Sequence, residues 1–199
     1  GNPYPCYFDM HSLKDNFYTP IVLWKGSSYQ AYSPVDDGII LRPNEAFFVQ
    51  RPIDVEQMVF GAEGRMHYND ALAATYNNTN KPGVKYAPAR SINGAERNVF
   101  NFTLEGCGSD NRARIVMNEK ATMGYDLDRD AAKFFASTPM GAEIYVDGDV
   151  KYDICERPLA EGTAKLAMRV ATAGEYTITL SGKYAEGWTV MLTDTQTGA

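Results

Sequence analysis

The chain has 199 residues, of which 44% are hydrophobic and 22% charged, a composition that is typical of a globular protein and excludes wholesale disorder. Its 25 acidic residues outnumber its 19 lysines and arginines, which gives a formal net charge of −6. This balance excludes a general nucleic-acid binder and a protein held to membranes by a polybasic patch, because both need a basic surface.

The ends of the chain carry no targeting signal. The N-terminus opens on turn-forming residues, Gly1-Asn2-Pro3-Tyr4-Pro5, without the basic and apolar segments of a signal peptide. No run of about 18 apolar residues predicts a transmembrane helix, so we expect no direct membrane insertion. The abrupt start is typical of a fragment, and we expect the chain to belong to a longer protein.

The N-terminal part predicts short strands separated by tight turns. Ile21–Trp24 and Tyr29–Tyr32 are rich in apolar and aromatic side chains and flank the turn sequence Lys25-Gly26-Ser27-Ser28. Residues 38–41 and 46–50 flank a second turn. Several short strands at this spacing favour a β-sandwich or a barrel.

Residues 61–96 interrupt this pattern with a long polar stretch rich in Asn, Gly and Pro. Its middle, residues 77–83, is a loop by composition, and residues 70–76 are compatible with a short helix. A loop of this length is typical of a functional segment or of a domain boundary. Two organisations therefore stay open: one continuous domain over 1–199, or two small sandwiches divided near 77–93.

Apolar and polar side chains alternate in four segments of the C-terminal half: 100–104, 166–170, 176–180 and 188–192. Since successive strand side chains point to opposite faces, each segment predicts a strand with one apolar and one solvated face. That pattern is typical of antiparallel sheets packed on one side only. Asp147-Gly148, between two further apolar segments, predicts a two-residue type I′ hairpin turn.

Residues 128–137 begin with acidic residues and continue with good helix formers, which predicts one short helix. In the same region Asp126, Asp128 and Asp130 alternate, which is the spacing of the first ligands of an EF-hand calcium loop. The glycine and the bidentate glutamate that such a loop needs further on are missing. We favour a structural role, in which Asp128 or Asp130 caps the helix, and keep an irregular calcium site as the alternative.

Other chemistry-bearing residues are few. For Cys6, Cys107 and Cys155, which include no C-x-x-C pair, we expect free thiols, with one disulfide and one free thiol as the alternative. Only two histidines, His11 and His67, are present, and no phosphate-binding loop or serine nucleophile elbow occurs. We therefore identify no catalytic residue and no cofactor, and no metal ligands besides the calcium candidates.

Aromatic residues are numerous, with 13 Tyr, 9 Phe and 2 Trp. Exposed Tyr and Trp rings stack on sugars, because they combine a flat apolar face with a polar edge. Periodicity indicates that Trp24, Trp188 and Phe100 fill the core or cover its edges, as is usual in aromatic-rich strands. Tyr145 is out of phase with its apolar neighbours and is the candidate for exposure.

The opening Gly1-Asn2-Pro3-Tyr4-Pro5 resembles the "IGNPYP" start of modules found near the C-termini of large Bacteroidetes surface and secreted proteins. Further segments resemble elements of the same modules in the same order: 22–26, 29–32, 41–49, 123–126 with 130–133, and 174–178 with 192–194. The resemblance implies an extracellular β-sandwich module. It implies no catalytic or ligand-binding residues.

Together these observations predict an all-β fold, an antiparallel sandwich of jelly-roll or immunoglobulin-like type with about ten strands and one short helix. We expect a non-catalytic extracellular or cell-surface module, a spacer or adhesion domain, whose partners are neighbouring domains of the same polypeptide. A carbohydrate-binding module that takes glycans or host and cell-surface polymers is the first alternative, and a hydrolase is the second.

Overall fold

The computed structural model describes residues 1–13, 17, 19–37, 39–50, 58–71, 97–158, 162–185 and 188–198. Strands hold 41% of these residues. Helical structure within them is limited to residues 68–71 and two 3-10 turns, Met10–Leu13 and Ala62–Gly64. The all-β class is therefore confirmed.

Thirteen strands occur in the described part of the chain: β1 (Tyr7–Asp9), β2 (Ile21–Trp24), β3 (Tyr29–Tyr32), β4 (Ile40–Leu41), β5 (Phe48–Val49), β6 (Arg65–Met66), β7 (Arg97–Gly106), β8 (Ser109–Asn118), β9 (Ala131–Ala132), β10 (Ala142–Asp147), β11 (Lys151–Arg157), β12 (Leu166–Val170) and β13 (Thr177–Lys183). They form three sheets, with strand orders β4-β1-β6, β3-β2-β5 and β12-β10-β11-β8-β7-β13. β9 adds to β11 and makes the last sheet seven-stranded.

The two three-stranded sheets form the N-terminal part of the molecule. The predicted β2–β3 hairpin is present, and Gly26 in its turn takes a φ of 91° that favours glycine. β4 and β5 join β1 and β2, respectively, instead of pairing with each other. The core of this part consists of apolar side chains: Phe8, Met10, Leu13, Phe17, Ile21, Leu23 and Leu41.

The seven-stranded sheet is built on the β7–β8 hairpin, in which pairing runs from Arg97 and Asn118 to Gly106 and Ser109. β13 pairs antiparallel with the outer side of β7. On the other side β11 runs parallel to β8. This pairing is an exception to the predicted antiparallel arrangement.

Both faces of the central strands of the seven-stranded sheet are covered, so the prediction that each strand has one solvated face is wrong for them, whereas the outer strands β12 and β13 carry exposed side chains. One face holds an apolar core: Phe100, Phe102, Leu104, Ala113, Ile115, Met117, Ala142, Ile144, Val146, Tyr152 and Cys155. The opposite face carries polar side chains that are buried all the same, among them Arg97, Arg114 and Glu156. Alternation predicts which face is polar, but residues of the N-terminal part cover that face and partner its charges.

The predicted helix at 128–137 is wrong. Residues 127–129 form a turn, and β9 follows and pairs with β11 at Tyr152 and Ile154. Immediately after β9, the buried ammonium of Lys133 lies 3.0 Å from Asp153 of β11. Pairing and burial at the edge of β11 thus outweigh the weak helix propensity of this segment.

Two further local predictions also differ from the structure. Asp147-Gly148 is not a two-residue turn, because β10 and β11 are joined by the three residues 148–150. Residues 188–192 are not in a strand. Trp188 and Val190 pack on the apolar core without pairing, which explains the alternation equally well.

The middle of the chain is described only in part. The helix predicted at 70–76 corresponds to helical residues 68–71, and its remainder lies outside the described residues. The predicted loop at 77–83 and the alternative domain boundary near 77–93 also lie outside them.

Candidate binding surface

Four aromatic side chains form a continuous surface where the β3-β2-β5 sheet meets the seven-stranded sheet. The ring centroids of Trp24 and Tyr29 are 4.8 Å apart, and those of Phe48 and Phe134 are 5.5 Å apart. Tyr29 lies 5.9 Å from both phenylalanine rings and connects the two pairs. We call Trp24, Tyr29, Phe48 and Phe134 the aromatic surface.

Strand register places these rings together. Trp24 is paired with Tyr29, so their side chains emerge on the same face of the β2–β3 hairpin. Phe48 reaches this face because it is paired with Val22, two residues before Trp24 on β2. Phe134 comes from the other sheet, two residues after β9.

The aromatic surface is the open end of a buried interface. Val22, Ala31, Ala131 and Ile154 form a small core between the two sheets, and Tyr29 and Phe134 pack against it. Trp24, predicted to fill the core or cover its edges, lies at the edge: 43% of the residue is exposed. Alternation separates it from buried Leu23, and the turn that follows leaves it at the rim.

A shallow pocket adjoins the aromatic surface. It is lined by Pro20, Val22, Gln50, Asp130, Ala131, Ala132 and Phe134. The Tyr125 hydroxyl donates to Oε1 of exposed Gln50 and accepts a 3.2 Å hydrogen bond from the Ala132 backbone N–H. The pocket lining therefore combines apolar side chains with the Gln50 amide and the Asp130 carboxyl group, and the Tyr125 phenol contacts that amide.

The buried side chain of Lys133 binds the backbone of Tyr29, a member of the aromatic surface. Nζ of Lys133 donates to the Tyr29 carbonyl at 3.0 Å, to Oδ1 of Asn111 at 2.6 Å and to Asp153 at 3.0 Å. Asp153 in turn accepts from the Ala31 backbone N–H. All three donor positions of the ammonium are thereby used, and β3 is fixed to the seven-stranded sheet.

A second buried set of charges joins the same two parts of the molecule, and we call it the arginine cluster: Asp36, Asp37, Arg97, Arg112, Arg114 and Glu156. Arg97 reaches Asp36 at 2.6 Å and Glu156 at 2.9 Å. Asp37 accepts from Arg114 at 2.6 Å and from Arg112 at 2.9 Å.

Electrostatics in the arginine cluster keep Asp37 ionised. Burial raises the pKa of Asp37, but the positive charges of Arg112 and Arg114 outweigh burial and hold the pKa well below its usual range. Removing one partner of a buried ion pair leaves the other charge uncompensated. The contribution of each of these residues to stability therefore depends on its partners.

The calcium candidates make protein contacts. Asp126 accepts from the Asp128 backbone N–H at 3.0 Å, and its carboxylate lies 3.4 Å from Arg129. Asp130 is buried and accepts from the backbone N–H of Glu156 at 2.7 Å and of Asp126 at 2.9 Å. Within the described ranges, no group of three or more His, Cys, Asp or Glu side chains is arranged to hold a metal ion.

Of the two expected caps, Asp130 therefore acts on a turn, because the helix it would cap is absent, and Asp128 contributes its backbone N–H to Asp126. Asp126 and Asp130 close the 127–129 turn and link it to β11. Burial raises the pKa of Asp130 to about 6, although its two backbone hydrogen bonds lower it.

The three cysteines form no disulfide with one another. Cys6 is half-buried, and Cys107 is exposed at the tip of the β7–β8 hairpin. Cys155 lies in the apolar core, where burial raises the pKa of its thiol to about 12. A thiol with that pKa is not ionised near neutral pH.

The other aromatic predictions have mixed outcomes. Phe100 is buried, and Trp188 packs edge-on against it at 5.5 Å, so both contribute to the core as predicted. Tyr145, the candidate for exposure, is half-buried and meets Phe135 edge-to-face at 5.1 Å. Sequence reasoning thus missed the exposed pair, Trp24 and Phe48. The signal available for Trp24 was its place at the last strand position before a Lys-Gly turn.

Comparison of the chain with models of known families, with curated proteins and with solved structures gives no match. Across the described ranges, no helix is long and apolar enough to cross a membrane.

Proposed function

We propose that the chain is a non-catalytic module of an extracellular or cell-surface protein and acts as a spacer or adhesion domain. Its partners are neighbouring domains of the same polypeptide and a surface polymer. The family resemblance of the opening segment and the later segments supports the extracellular setting.

The exposed aromatic surface carries the adhesion part of the proposal. Trp24 is 43% exposed and Phe48 52% exposed, and they belong to one contiguous group of rings. A module that only separates its neighbours gains nothing from such a patch, whereas contiguous exposed apolar residues are typical of interaction sites.

The use of the buried charges supports a non-catalytic role. Lys133 and Asp153 bind each other and the backbone of β3, and the arginine cluster pairs its charges internally. The burial of these groups is explained by the contacts with which they connect the sheets. None of these groups lines the pocket beside the aromatic surface. The acid that does line it, Asp130, accepts backbone N–H bonds through its carboxyl oxygens.

The test is retention of the purified chain, labelled at its N-terminus, on protein-coated and polysaccharide-coated beads. We expect retention on at least one coating, loss of retention in the Trp24→Ala/Phe48→Ala variant, and no soluble fragments in the supernatant. Tyr184→Ala is the control, because Tyr184 is 42% exposed but stacks on Phe100 at the opposite face of the large sheet. Retention on no coating, or fragments that accumulate with time, would contradict the proposal.

A further inference from the structure

We propose that the aromatic surface and the adjoining pocket form a binding site for an uncharged saccharide chain. This inference rests on the proposed adhesion function and names the ligand class of the same site. Stacking on the rings supplies the apolar contact, and the pocket edge supplies the hydrogen bonds.

The ring geometry suits the apolar face of a pyranose. Each of the four rings lies within 6 Å of at least one other, measured between centroids, so the rings form one patch. Trp24 and Phe48 are the exposed members, and the ring centroid of each lies within 6 Å of the half-buried Tyr29 ring. Exposed aromatic rings bind the C–H face of a sugar by area burial and stacking.

The polar edge suits sugar hydroxyl groups. A side-chain amide offers a donor and an acceptor together, which matches a hydroxyl that both donates and accepts. Gln50 is exposed and lines the pocket, and its Oε1 accepts a hydrogen bond from the Tyr125 hydroxyl. Among the described residues its amide nitrogen takes no hydrogen-bond partner.

The charges around the site favour an uncharged ligand. The ammonium of Lys133 lies beneath Tyr29 and is fully used by Asp153, Asn111 and the Tyr29 carbonyl. Lys25 follows Trp24 but interacts with the hydroxyl of Tyr32, which is paired with Ile21 and packs on the N-terminal core. Among its described residues this surface therefore offers an anionic ligand one exposed cation, Lys25, and the pocket beside it is lined by the carboxyl group of Asp130, so the site has no excess of positive charge.

The site is organised before any ligand binds. β2 is paired on both sides, by β3 and β5, and the Tyr29 carbonyl is held by Lys133 and by Asn111 at 3.1 Å. Side chains fixed by such neighbours lose little freedom on binding, so a small contact area gives measurable affinity.

Trp24 is also the natural reporter of binding. The chain has two tryptophans, so a Trp188→Phe variant has Trp24 as its only source of tryptophan fluorescence. We would titrate this variant with hexasaccharides of cellulose, xylan, mannan and chitin, and apply the wild-type chain to an array of neutral glycans. We expect at least one of these probes to bind and, in the titration, to change the Trp24 emission.

Substitutions then locate the site. Trp24→Ala is expected to weaken binding about tenfold or more, since stacking and ring burial are both lost. Phe48→Ala and Gln50→Ala test the same patch independently if Trp24→Ala lowers the melting temperature. Tyr184→Ala, on the opposite face, is expected to leave binding unchanged.

The possible results separate this inference from the proposed function. Binding of no saccharide, or binding unaffected by Trp24→Ala, Phe48→Ala and Gln50→Ala, overturns the saccharide site. If the chain is retained on protein-coated beads through Trp24 but binds no saccharide, adhesion stands and only this inference is wrong. If it is retained on neither coating and binds no probe, both are wrong.

Discussion

Two buried aspartates show how differently one residue type is used in this chain. Asp37 lies between the guanidinium groups of Arg112 and Arg114, whereas Asp130 accepts two backbone N–H bonds and has Arg157 only at 3.7 Å. The first pKa is lowered and the second is raised to about 6. Full opposite charges outweigh burial, and neutral donors do not.

Replacing Asp37 is expected to be severe. Asp37→Asn removes the charge that Arg112 and Arg114 share, and leaves Arg114 with Asp36 at 3.8 Å and Arg112 without a carboxylate partner among the described residues. We expect the free energy of unfolding, measured in urea, to fall by about 3–5 kcal/mol. Asp110→Asn is the matched control on β8, since Asp110 is exposed, and it is expected to change stability by less than about 0.5 kcal/mol. Equal losses in the two variants would contradict the role of the arginine cluster.

Asp130 is expected to give the fold a distinctive pH dependence. Because its pKa in the folded chain, about 6, exceeds the ordinary 3.8, the fold binds this proton more tightly than the unfolded chain does. Its contribution is therefore fully present below pH 4 and is lost as the pH rises to 6, by about 2–3 kcal/mol.

Urea unfolding of wild type and Asp130→Asn at pH 4 and pH 7 tests this dependence. The amide introduced in the variant does not titrate, so the stability of wild type relative to the variant is expected to be higher at pH 4. Other groups cancel in this comparison. A difference between the two proteins that is the same at both pH values would show that Asp130 is ionised throughout.

At the residue scale the sequence predicted types of side chain better than their surroundings. It predicted a structural role for Asp128 or Asp130, but the partner that Asp130 binds in β11 lies far from it in sequence. It placed Trp24 in the core or at its edges on periodicity alone. The exposure of Trp24 depends on where β2 ends relative to the second sheet, which no local pattern contains.

Among the connecting elements, the β7–β8 turn has the most specific backbone. Cys107 and Gly108 form its two-residue loop with φ values of 48° and 75°, both in the left-handed region. This is the geometry expected of a type I′ turn, which the sequence analysis had assigned to Asp147-Gly148. Asp147-Gly148 has the more usual composition, but the pairing of β10 with β11 leaves three residues between them.

Gly108 and Gly124 allow the effect of backbone conformation to be tested apart from the effect of steric crowding. Neither Gly108 nor Gly124 has an atom within 4 Å of the position where a Cβ would lie, but only Gly108 has a positive φ. Gly108→Ala is expected to lower stability by about 1 kcal/mol, because an L-residue is strained there. Gly124→Ala is expected to be neutral or slightly stabilising. Thermal unfolding of both variants tests this, and equal melting temperatures would contradict the turn assignment.

Element predictions succeeded where the signal was local. The β2–β3 hairpin and the long alternating strand β7 follow from turn residues and periodicity alone. The helix at 128–137 failed because Lys133 and β9 take tertiary partners. The helix propensity of a short segment does not show whether tertiary contacts favour another conformation.

The whole molecule depends on contacts between residues distant in sequence. Asp36 and Asp37 in the N-terminal part bind Arg97 and Arg114 of the seven-stranded sheet, and Ala31 binds Asp153. These contacts cover the polar face of the sheet. They favour the organisation as one continuous domain over 1–199, which remains a prediction.

Limited tryptic digestion tests that organisation. Cleavage after Lys85 leaves Asp36 and Asp37 on one fragment and their arginines on the other. We expect the fragments to co-elute in size-exclusion chromatography under native conditions, because buried ion pairs are screened little by salt. Their separation as two folded pieces would favour two small sandwiches.

The arginine cluster also limits how this sequence can change over evolutionary time. A substitution at one of its six positions strands a charge in the interior, and the cost is a large share of a domain's stability. Replacement of the whole set by apolar residues of similar volume carries no such cost. In related chains these positions are therefore expected to covary, so that Asp36, Arg97 and Glu156 are retained together or exchanged together.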